Sequence, residues 1–270
     1  MIEIAKYVRA ESLQQAYELN QKKSNAVIGG MLWLKMQRRR VNTAIDLSDL
    51  GLNTIEETPE EYRIGAMVTL RQLEQHAGLN ELTGGAVRES VRDIVGVQFR
   101  NLATVGGSLF GRFGFSDVLT LFMAIGAEVE LYQRGIVPVE KFAQMPRERD
   151  ILVRVIVPKT RQNTVYLSQR NTRTDFPVLT CCVSKTDTEI RCCIGARPMK
   201  AVCLRDEKEI LQAGITPETA QIFADYIKEH VETGSNLRGS REYRRILAGV
   251  LTKRAVLKIA ENTGEGERCR

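Results

Sequence analysis

The sequence has few of the side chains that enzymes use for proton transfer or metal binding. Its 270 residues include only two histidines, His76 and His230, and both fall on predicted helices far apart in the chain. The sequence contains no HExxH, GxSxG, P-loop or EF-hand pattern. We interpret both histidines as surface or packing residues. A chain of this kind can still take part in redox chemistry if a cofactor supplies the reacting group.

Cysteine is present, but not at the spacing of a metal or cluster site. The pairs Cys181-Cys182 and Cys192-Cys193 flank a predicted hairpin turn. Adjacent residues of a strand point to opposite faces, so neither pair can chelate one metal ion. CxxC and plant-type ferredoxin spacings are both missing from the sequence. We therefore interpret the four as small buried thiols and expect no iron–sulfur cluster held by this chain.

The sequence also lacks long apolar runs and clustered charge of the nucleic-acid-binding kind. No run approaches the roughly 20 residues of a membrane span, and residues 1–7 have no signal-peptide core, so we expect a cytoplasmic location. The net charge is +6, but the basic residues are scattered. Their densest group, residues 238–258, lies on a predicted helix with an apolar face and contains a single aromatic residue, Tyr243, which favours a solvated or subunit-facing surface. We expect neither nucleic acid nor a membrane as partner.

The remaining composition is that of a globular chain with one large or two modest domains. Hydrophobic residues make up 43% and charged residues 27%. The polar segment 159–164 is the best linker candidate. After it, the pattern predicts three strands and then helices over residues 206–213, 217–231 and 241–260. In the last helix we expect one buried stripe, formed by Tyr243, Ile246, Leu247, Val250 and Leu251.

Two strands run into paired glycines. The first glycine segment, residues 26–33, begins Ala-Val-Ile-Gly-Gly, and the second, residues 103–107, reads Ala-Thr-Val-Gly-Gly. Adjacent glycines let the main chain approach a ligand and direct N–H groups at a phosphate. A tight turn is the structural alternative for each pair. Neither has GxGxxG or P-loop spacing, so together they suggest one pyrophosphate held between two loops.

These segments resemble the FAD-binding medium subunit of molybdenum hydroxylases, the xanthine dehydrogenase and carbon monoxide dehydrogenase group. That group lies within the vanillyl-alcohol-oxidase-like flavoproteins. The Arg-Asn-x-Ala-Thr-x-Gly-Gly run at residues 100–107 is the most specific match. Other matching segments follow in the family's order: residues 27–30, 63–66, 116–117, 127–131, 150–152, 175–176 and 242–245.

The resemblance implies a fold, a cofactor and partners. The expected fold is α+β, with a vanillyl-alcohol-oxidase-like FAD-binding domain of two subdomains at residues 1–158. A small domain of one sheet and three helices is expected at residues 164–263. The cofactor would be FAD. The partners would be a molybdopterin-binding large subunit, a two-iron two-sulfur small subunit, and NAD⁺ or another electron acceptor.

The resemblance also assigns a cofactor site. Thr104 would bond through its hydroxyl, Asp117 would match the family's acidic contact to FAD, and Ile151 would pack on the cofactor. For Asp117 the alternative is a helix-start carboxylate, and for Ile151 an ordinary core strand. The expected site residues are Ala26, Val27, Ile28, Gly29, Gly30, Met31, Leu32, Trp33, Ala103, Thr104, Val105, Gly106, Gly107, Ser116, Asp117 and Ile151.

The chain departs from the family's pattern at three places. Met31 and Leu32 stand where hydrogen-bonding side chains are common, and Ser108 stands where the second glycine segment often ends in Asn. A lysine common before the Asp-Phe segment is missing from residues 166–170. The alternative hypothesis is therefore a scaffold subunit of the same complex with weakened or lost FAD binding.

Overall fold

The computed structural model describes residues 1–263, and the segment 264–270, which the sequence suggests is a frayed tail, lies outside it. The chain begins with a three-stranded parallel sheet of order β1-β3-β2. Helix α1 starts where the Ser12 side chain accepts a hydrogen bond from the Gln15 N–H. The elements are β1 (Glu3–Arg9), α1 (Leu13–Asn20), β2 (Ala26–Ile28) and β3 (Arg40–Asp46).

A second unit contains a five-stranded antiparallel sheet of order β4-β5-β8-β6-β7. Its strands are β4 (Ile55–Glu57), β5 (Glu61–Gly65), β6 (Glu128–Leu131), β7 (Gly135–Pro138) and β8 (Leu152–Pro158). Its helices are α2 (Leu70–Gln75), α3 (Ala77–Leu82), α4 (Ala86–Val91), α5 (Val97–Arg100), α6 (Val105–Phe110), α7 (Asp117–Ala124) and α8 (Val139–Gln144).

The third unit is a four-stranded antiparallel sheet of order β12-β11-β10-β9 with two long helices. Its elements are β9 (Asn163–Arg170), β10 (Pro177–Lys185), β11 (Ile190–Gly195), β12 (Val202–Arg205), α9 (Pro217–His230) and α10 (Arg241–Thr263). Cys181, Cys182, Cys192 and Cys193 are buried in this sheet as expected. Burial raises the pKa of the Cys182 thiol well above its ordinary value.

Helix α7 joins the second and third units. Every residue of α7 is buried, because the helix lies between the second unit and one face of the third unit's sheet. The Thr120 hydroxyl bonds the Thr180 hydroxyl at 3.0 Å across this contact. Tyr166 and Cys193 of the third unit belong to the same apolar core as α7. The predicted α+β class is confirmed, and none of the helices within residues 1–263 is long and apolar enough to cross a membrane.

Several local predictions were wrong. The segment 206–213 forms turns instead of a helix, because the Asp206 carboxylate accepts the N–H groups of Ile210 and Leu211. The predicted stripe of α10 is only partly buried: Leu247 and Leu251 face the core. Its other three members are exposed: Tyr243, Ile246 and Val250.

Candidate functional site

A cavity of about 730 Å³ lies where the three units meet. Its walls come from the first glycine segment, the starts of α6 and α7, the segment before β8, and the β9–β10 connection. All of the expected site residues line this large cavity except Val105, whose side chain is buried in the apolar core. Ligand cavities of roughly 300–1,000 Å³ are usual for small molecules and cofactors, so the size suits a large organic ligand.

The first glycine segment offers main-chain hydrogen-bond donors to the large cavity. Within residues 1–263, no protein atom accepts a hydrogen bond from the N–H groups of residues 29–33. Met31 has a φ of 58°, a left-handed conformation that is rare outside glycine. Consecutive N–H groups in such a turn form a concave site for anions, and strained backbone of this kind concentrates at ligand sites.

The paired glycines of the second segment do not direct their N–H groups at a ligand. Thr104 caps α6 and accepts the Gly107 N–H at 3.1 Å, and the Gly106 N–H donates to the Ala66 carbonyl at 2.8 Å. The expectation of a phosphate-binding loop at Gly106-Gly107 is therefore corrected: the pair starts a helix whose donors are already used. The Thr104 hydroxyl proton has no acceptor among the described residues, so it remains available for a ligand.

Glycine is required at three positions of these segments because neighbouring atoms leave no room for a Cβ. A Cβ on Gly30 would lie 1.9 Å from the Leu102 carbonyl oxygen, and one on Gly29 would lie 2.6 Å from Thr104 Oγ1. A Cβ on Gly106 would lie 2.8 Å from the Ala66 carbonyl oxygen. Gly29 and Gly30 therefore let the first glycine segment pack against the residues just before α6, and Gly106 lets α6 pack against Ala66.

Asp117 lies at the N-terminus of α7, and its carboxylate is buried. It accepts hydrogen bonds from the Tyr166 hydroxyl and the Arg170 guanidinium, both from β9. Burial raises the pKa of Asp117 to about 6, although the charge of Arg170 opposes this rise. Arg170 also lines the large cavity, which brings a cation to its wall. The sequence did not identify Arg170, although it falls in the segment where the family's lysine is missing.

Ile151 is both a core residue and a lining residue of the large cavity. Its side chain is buried with Val153 in a small apolar cluster, and the residue also lines the large cavity. The neighbouring Asp150 carboxylate accepts the N–H groups of Gln133, Arg134 and Ile151, which fixes the start of β8. The cavity wall at Ile151 is therefore rigid.

Aromatic rings form the side of the large cavity nearest the third unit. Trp33 lies 5.4 Å from Phe99 and 5.2 Å from Phe176, measured between ring centroids. Phe176 in turn packs edge-on against Phe115 at 4.8 Å, and Phe115 stacks on Phe113 at 5.2 Å. Sequence reasoning identified only Trp33 of this group, because rings from four separate segments show no spacing signal.

Comparison with known proteins identifies the class to which this architecture belongs. Residues 2–160 match the family described as the FAD binding domain in molybdopterin dehydrogenase. Residues 164–259 match the CO dehydrogenase flavoprotein C-terminal domain. The chain belongs to this family, which confirms the resemblance seen in the sequence. It is accordingly an oxidoreductase subunit with FAD as its cofactor.

Individual relatives are distant but match over nearly their full length. Uncharacterized protein YgfM of Escherichia coli K12 is 27% identical over 254 residues, or 92% of this chain and 93% of that protein. The xanthine dehydrogenase FAD-binding subunit of Escherichia coli O157:H7 is 23% identical, covering 98% and 99%. A chain of quinoline 2-oxidoreductase from Pseudomonas putida 86 shares the fold, with a TM-score of 0.82 at 20% identity, covering 95% and 97%.

The residues around the large cavity fit FAD. The N–H groups of residues 29–33 suit a pyrophosphate, and the Thr104 hydroxyl can add a further donor. Asn25 lines the cavity with a buried Oδ1 that no described residue donates to, which suits a ligand hydroxyl or amine. Met31 and Leu32 stand where polar side chains are common in the family. The donors of the first glycine segment are main-chain N–H groups, however, which every non-proline residue carries.

Proposed function

We propose that the chain is the FAD-carrying, electron-transferring subunit of a molybdopterin-dependent dehydrogenase complex. Electrons would reach FAD from a two-iron two-sulfur small subunit and originate at a molybdopterin-binding large subunit. FAD would then pass the electrons to NAD⁺ or another acceptor in the cytoplasm. The family membership and the subunit nature of the xanthine dehydrogenase relative support this assignment.

The observation that carries the proposal is the row of free N–H groups in the first glycine segment. These main-chain donors have no protein acceptor and border the large cavity, so a ligand there can accept from them. A pyrophosphate supplies several anionic acceptor oxygens at once, and its hydrogen bonds to N–H groups are charge-assisted. The first glycine segment would therefore hold the middle of the cofactor.

The other residues would position the ends of the cofactor. The bound FAD would supply the redox chemistry, since its ring system accepts and releases electrons. The rings of Trp33 and Phe176 would exclude water from one side of the large cavity. Arg170, paired with Asp117, would place a fixed guanidinium at the wall that can donate hydrogen bonds to a nearby ligand.

The direct test is the cofactor content of the purified full chain. The protein is expressed with its partners, denatured, and the released small molecules are separated and quantified. We expect about one FAD per chain, because the family's cofactor fits the cavity. A chain that is folded by circular dichroism but contains no FAD, and binds none on addition, would contradict the proposal.

The scaffold alternative has one structural observation in its favour. The N–H groups of Gly106 and Gly107 donate to protein acceptors, so the paired glycines of the second segment offer no free main-chain donors. A scaffold subunit would dock the partners without using flavin. Adding substrate to the assembled complex distinguishes the electron-transfer subunit from the scaffold. Bleaching of an oxidised flavin absorbance band requires electron transfer to FAD, whereas a scaffold shows no such band.

A further inference from the structure

Cys203 differs from the other cysteines within residues 1–263 because it is only partly buried. It lies on β12, an edge strand of the third unit's sheet, directly opposite Cys193 of β11. Cys203 also packs against the apolar core that contains Cys193. Burial raises the pKa of the Cys193 thiol well above its ordinary value, and the contact with Cys203 raises it further. An oxidant from solvent therefore meets Cys203 first, with the protonated Cys193 thiol beside it.

The hydrogen-bond register of the sheet makes this a close pair. The Asp206 N–H donates to the Ile190 carbonyl at 3.2 Å, so these two opposite residues form a hydrogen-bonded pair. The two kinds of pair alternate along an antiparallel ladder, so Cys193 and Cys203, three steps further, form a non-hydrogen-bonded pair. The Cα atoms of such a pair lie roughly 4.5 Å apart, within the range of about 4.4–6.8 Å that disulfides span.

Cys182 of β10 lies on the other side of Cys193 but is in a different position. The Thr186 N–H donates to the Glu189 carbonyl at 2.9 Å, which makes Cys182–Cys193, four steps away, a hydrogen-bonded pair. The Cα atoms of such a pair are roughly 5.5 Å apart, so the distance alone would permit a disulfide. Both thiols are fully buried, however, so a reagent in solvent has no direct route to either.

Cys181 and Cys192 lie on the opposite face of the sheet. Their sulfur atoms are 3.7 and 3.4 Å from Thr252 Oγ1 of α10. Cys192 is next to Cys193 in the chain, but adjacent residues of a strand point to opposite faces. Neither of these two thiols can therefore reach Cys203 in the folded chain.

We propose that Cys193 and Cys203 form a reversible cross-strand disulfide when the chain meets a peroxide. The Cys203 sulfur attacks hydrogen peroxide, the O–O bond breaks, and Cys203 becomes a sulfenic acid while one water leaves. The Cys193 sulfur then attacks the Cys203 sulfur, the S–O bond breaks, and the departing hydroxide takes the Cys193 proton and leaves as a second water. Overall the two thiols lose two electrons and two protons, and a thiol reductant restores both.

The disulfide would close the β11–β12 connection into a loop. This connection contributes Ala196, Pro198 and Met199 to the wall of a second cavity of about 350 Å³, the small cavity, which Asn236 also lines. A Cβ on Gly114 would lie 1.9 Å from the Met199 carbonyl oxygen, so the connection is also pressed against the loop before α7. Loop closure restricts the unfolded chain, so the oxidised protein should resist unfolding better than the reduced one.

The test uses the purified full chain carrying Cys269→Ser, which removes pairing through the one cysteine outside residues 1–263. The folded chain is treated with a few equivalents of hydrogen peroxide, alkylated, and digested with trypsin without reduction. Mass spectrometry should then find the peptide 192–200 linked to the peptide 201–205. We expect the free thiols to fall from five to three and to return with dithiothreitol.

Cys193→Ala and Cys192→Ala are matched variants, because the peptide 192–200 carries both cysteines. Cys193→Ala should abolish the linked peptide and leave Cys203 as a sulfenic acid that dimedone traps. Cys192→Ala should give the linked peptide at the parent's yield. Equal yields in the two variants, or no linked peptide from the folded parent, would overturn the proposal. So would a linked peptide that forms only in urea, because thiols of an unfolded chain pair without regard to register.

Cys203→Ser gives a second reading if Cys193→Ala does not fold, since Cys203 is partly exposed. The urea midpoint of the parent should rise on peroxide treatment, whereas that of Cys203→Ser should not change. An equal rise in both chains would overturn the proposal. None of these measurements depends on bound FAD, so their failure is distinct from failure of the proposed function.

Discussion

Gly30 is the residue at which a single methyl group should have the largest effect on the site. In Gly30→Ala the new Cβ would lie 1.9 Å from the Leu102 carbonyl oxygen, so the first glycine segment must move away from the second. We expect a folded chain whose FAD content falls at least about tenfold, because the row of N–H donors is displaced. Absorbance at the flavin band per chain after gel filtration measures this.

Gly234→Ala is the control for this change. At Gly234 the nearest atom to a new Cβ, the Arg197 carbonyl oxygen, is 3.5 Å away, which is ordinary contact distance. The control should keep its FAD. A Gly30→Ala protein with a full complement of FAD would show that the first glycine segment does not hold the cofactor.

Asp117 makes the stability of the chain depend on pH. Because the folded-state pKa of about 6 lies above the ordinary value of 3.8, the folded state binds the extra proton between these values. This contribution to the free energy of unfolding is present at low pH and lost as the pH rises through about 6. Relative to Asp117→Asn, the parent chain should lose on the order of 2 kcal/mol of stability between about pH 4 and pH 7.

Urea unfolding at both pH values measures this difference. Asp187→Asn, at an exposed position in the β10–β11 turn, is the control and should follow the parent chain at both pH values. An Asp117→Asn curve that runs parallel to the parent across this range would show that Asp117 has no raised pKa.

Single-residue features were predictable where the signal was local. The sequence predicted the cavity wall at the paired glycines and at Thr104, because a turn and a helix cap each depend on only a few neighbouring residues. The hydrogen bond from the Gly106 N–H to the Ala66 carbonyl could not be predicted, because Ala66 lies 40 residues earlier in the chain. The pairing of Asp117 with Arg170, separated by 53 residues, is likewise a product of the tertiary fold.

Among the elements, α10 shows how a correct helix can be given the wrong buried face. Periodicity placed Ile246 and Leu247 on one stripe, but only Leu247 contacts the core. We expect Leu247→Lys to destabilise the chain by about 3 kcal/mol or more, because a charge would be buried without a partner. Ile246→Lys should change the free energy of unfolding by less than about 0.5 kcal/mol. Urea titrations followed by circular dichroism would contradict this assignment if both variants were equally unstable.

Arg244 connects α10 to the loop beside the small cavity. Its fully buried guanidinium donates to the carbonyls of Val178 and Gly234 and to Asn236 Oδ1. Burial lowers the pKa of Arg244, but these acceptors hold its charge in place. In Arg244→Leu the carbonyls lose their donors, so we expect destabilisation of about 2–4 kcal/mol.

Arg245→Leu is the neighbouring control for Arg244→Leu. Arg245 is exposed and, within residues 1–263, donates only to the Lys228 carbonyl, so its loss should cost less than about 1 kcal/mol. The denaturant midpoints of Arg244→Leu and Arg245→Leu measure this difference. Equal midpoints would show that the hydrogen bonds of the buried Arg244 are not needed for stability.

At the scale of the whole molecule, the shared core around α7 predicts joint unfolding of the second and third units. The division into residues 1–158 and 164–263 remains a prediction, and α7 packs across it. Trp33, the only tryptophan, packs on Phe176 and reports by fluorescence on the contact between the parts, while α9 and α10 dominate the helical signal of the second. We expect the two urea transitions to coincide. Separate midpoints would show that the parts are independent.

The large cavity also has a consequence for the order of events during protein synthesis. Its lining residues run from Asn20 to Pro177, and the final wall, with Arg170 and Phe176, belongs to the third unit. A nascent chain that ends before β10 therefore has the first glycine segment but no closed cavity around it. Cofactor insertion should follow translation of β10, so a prematurely terminated chain would compete poorly for the cell's FAD.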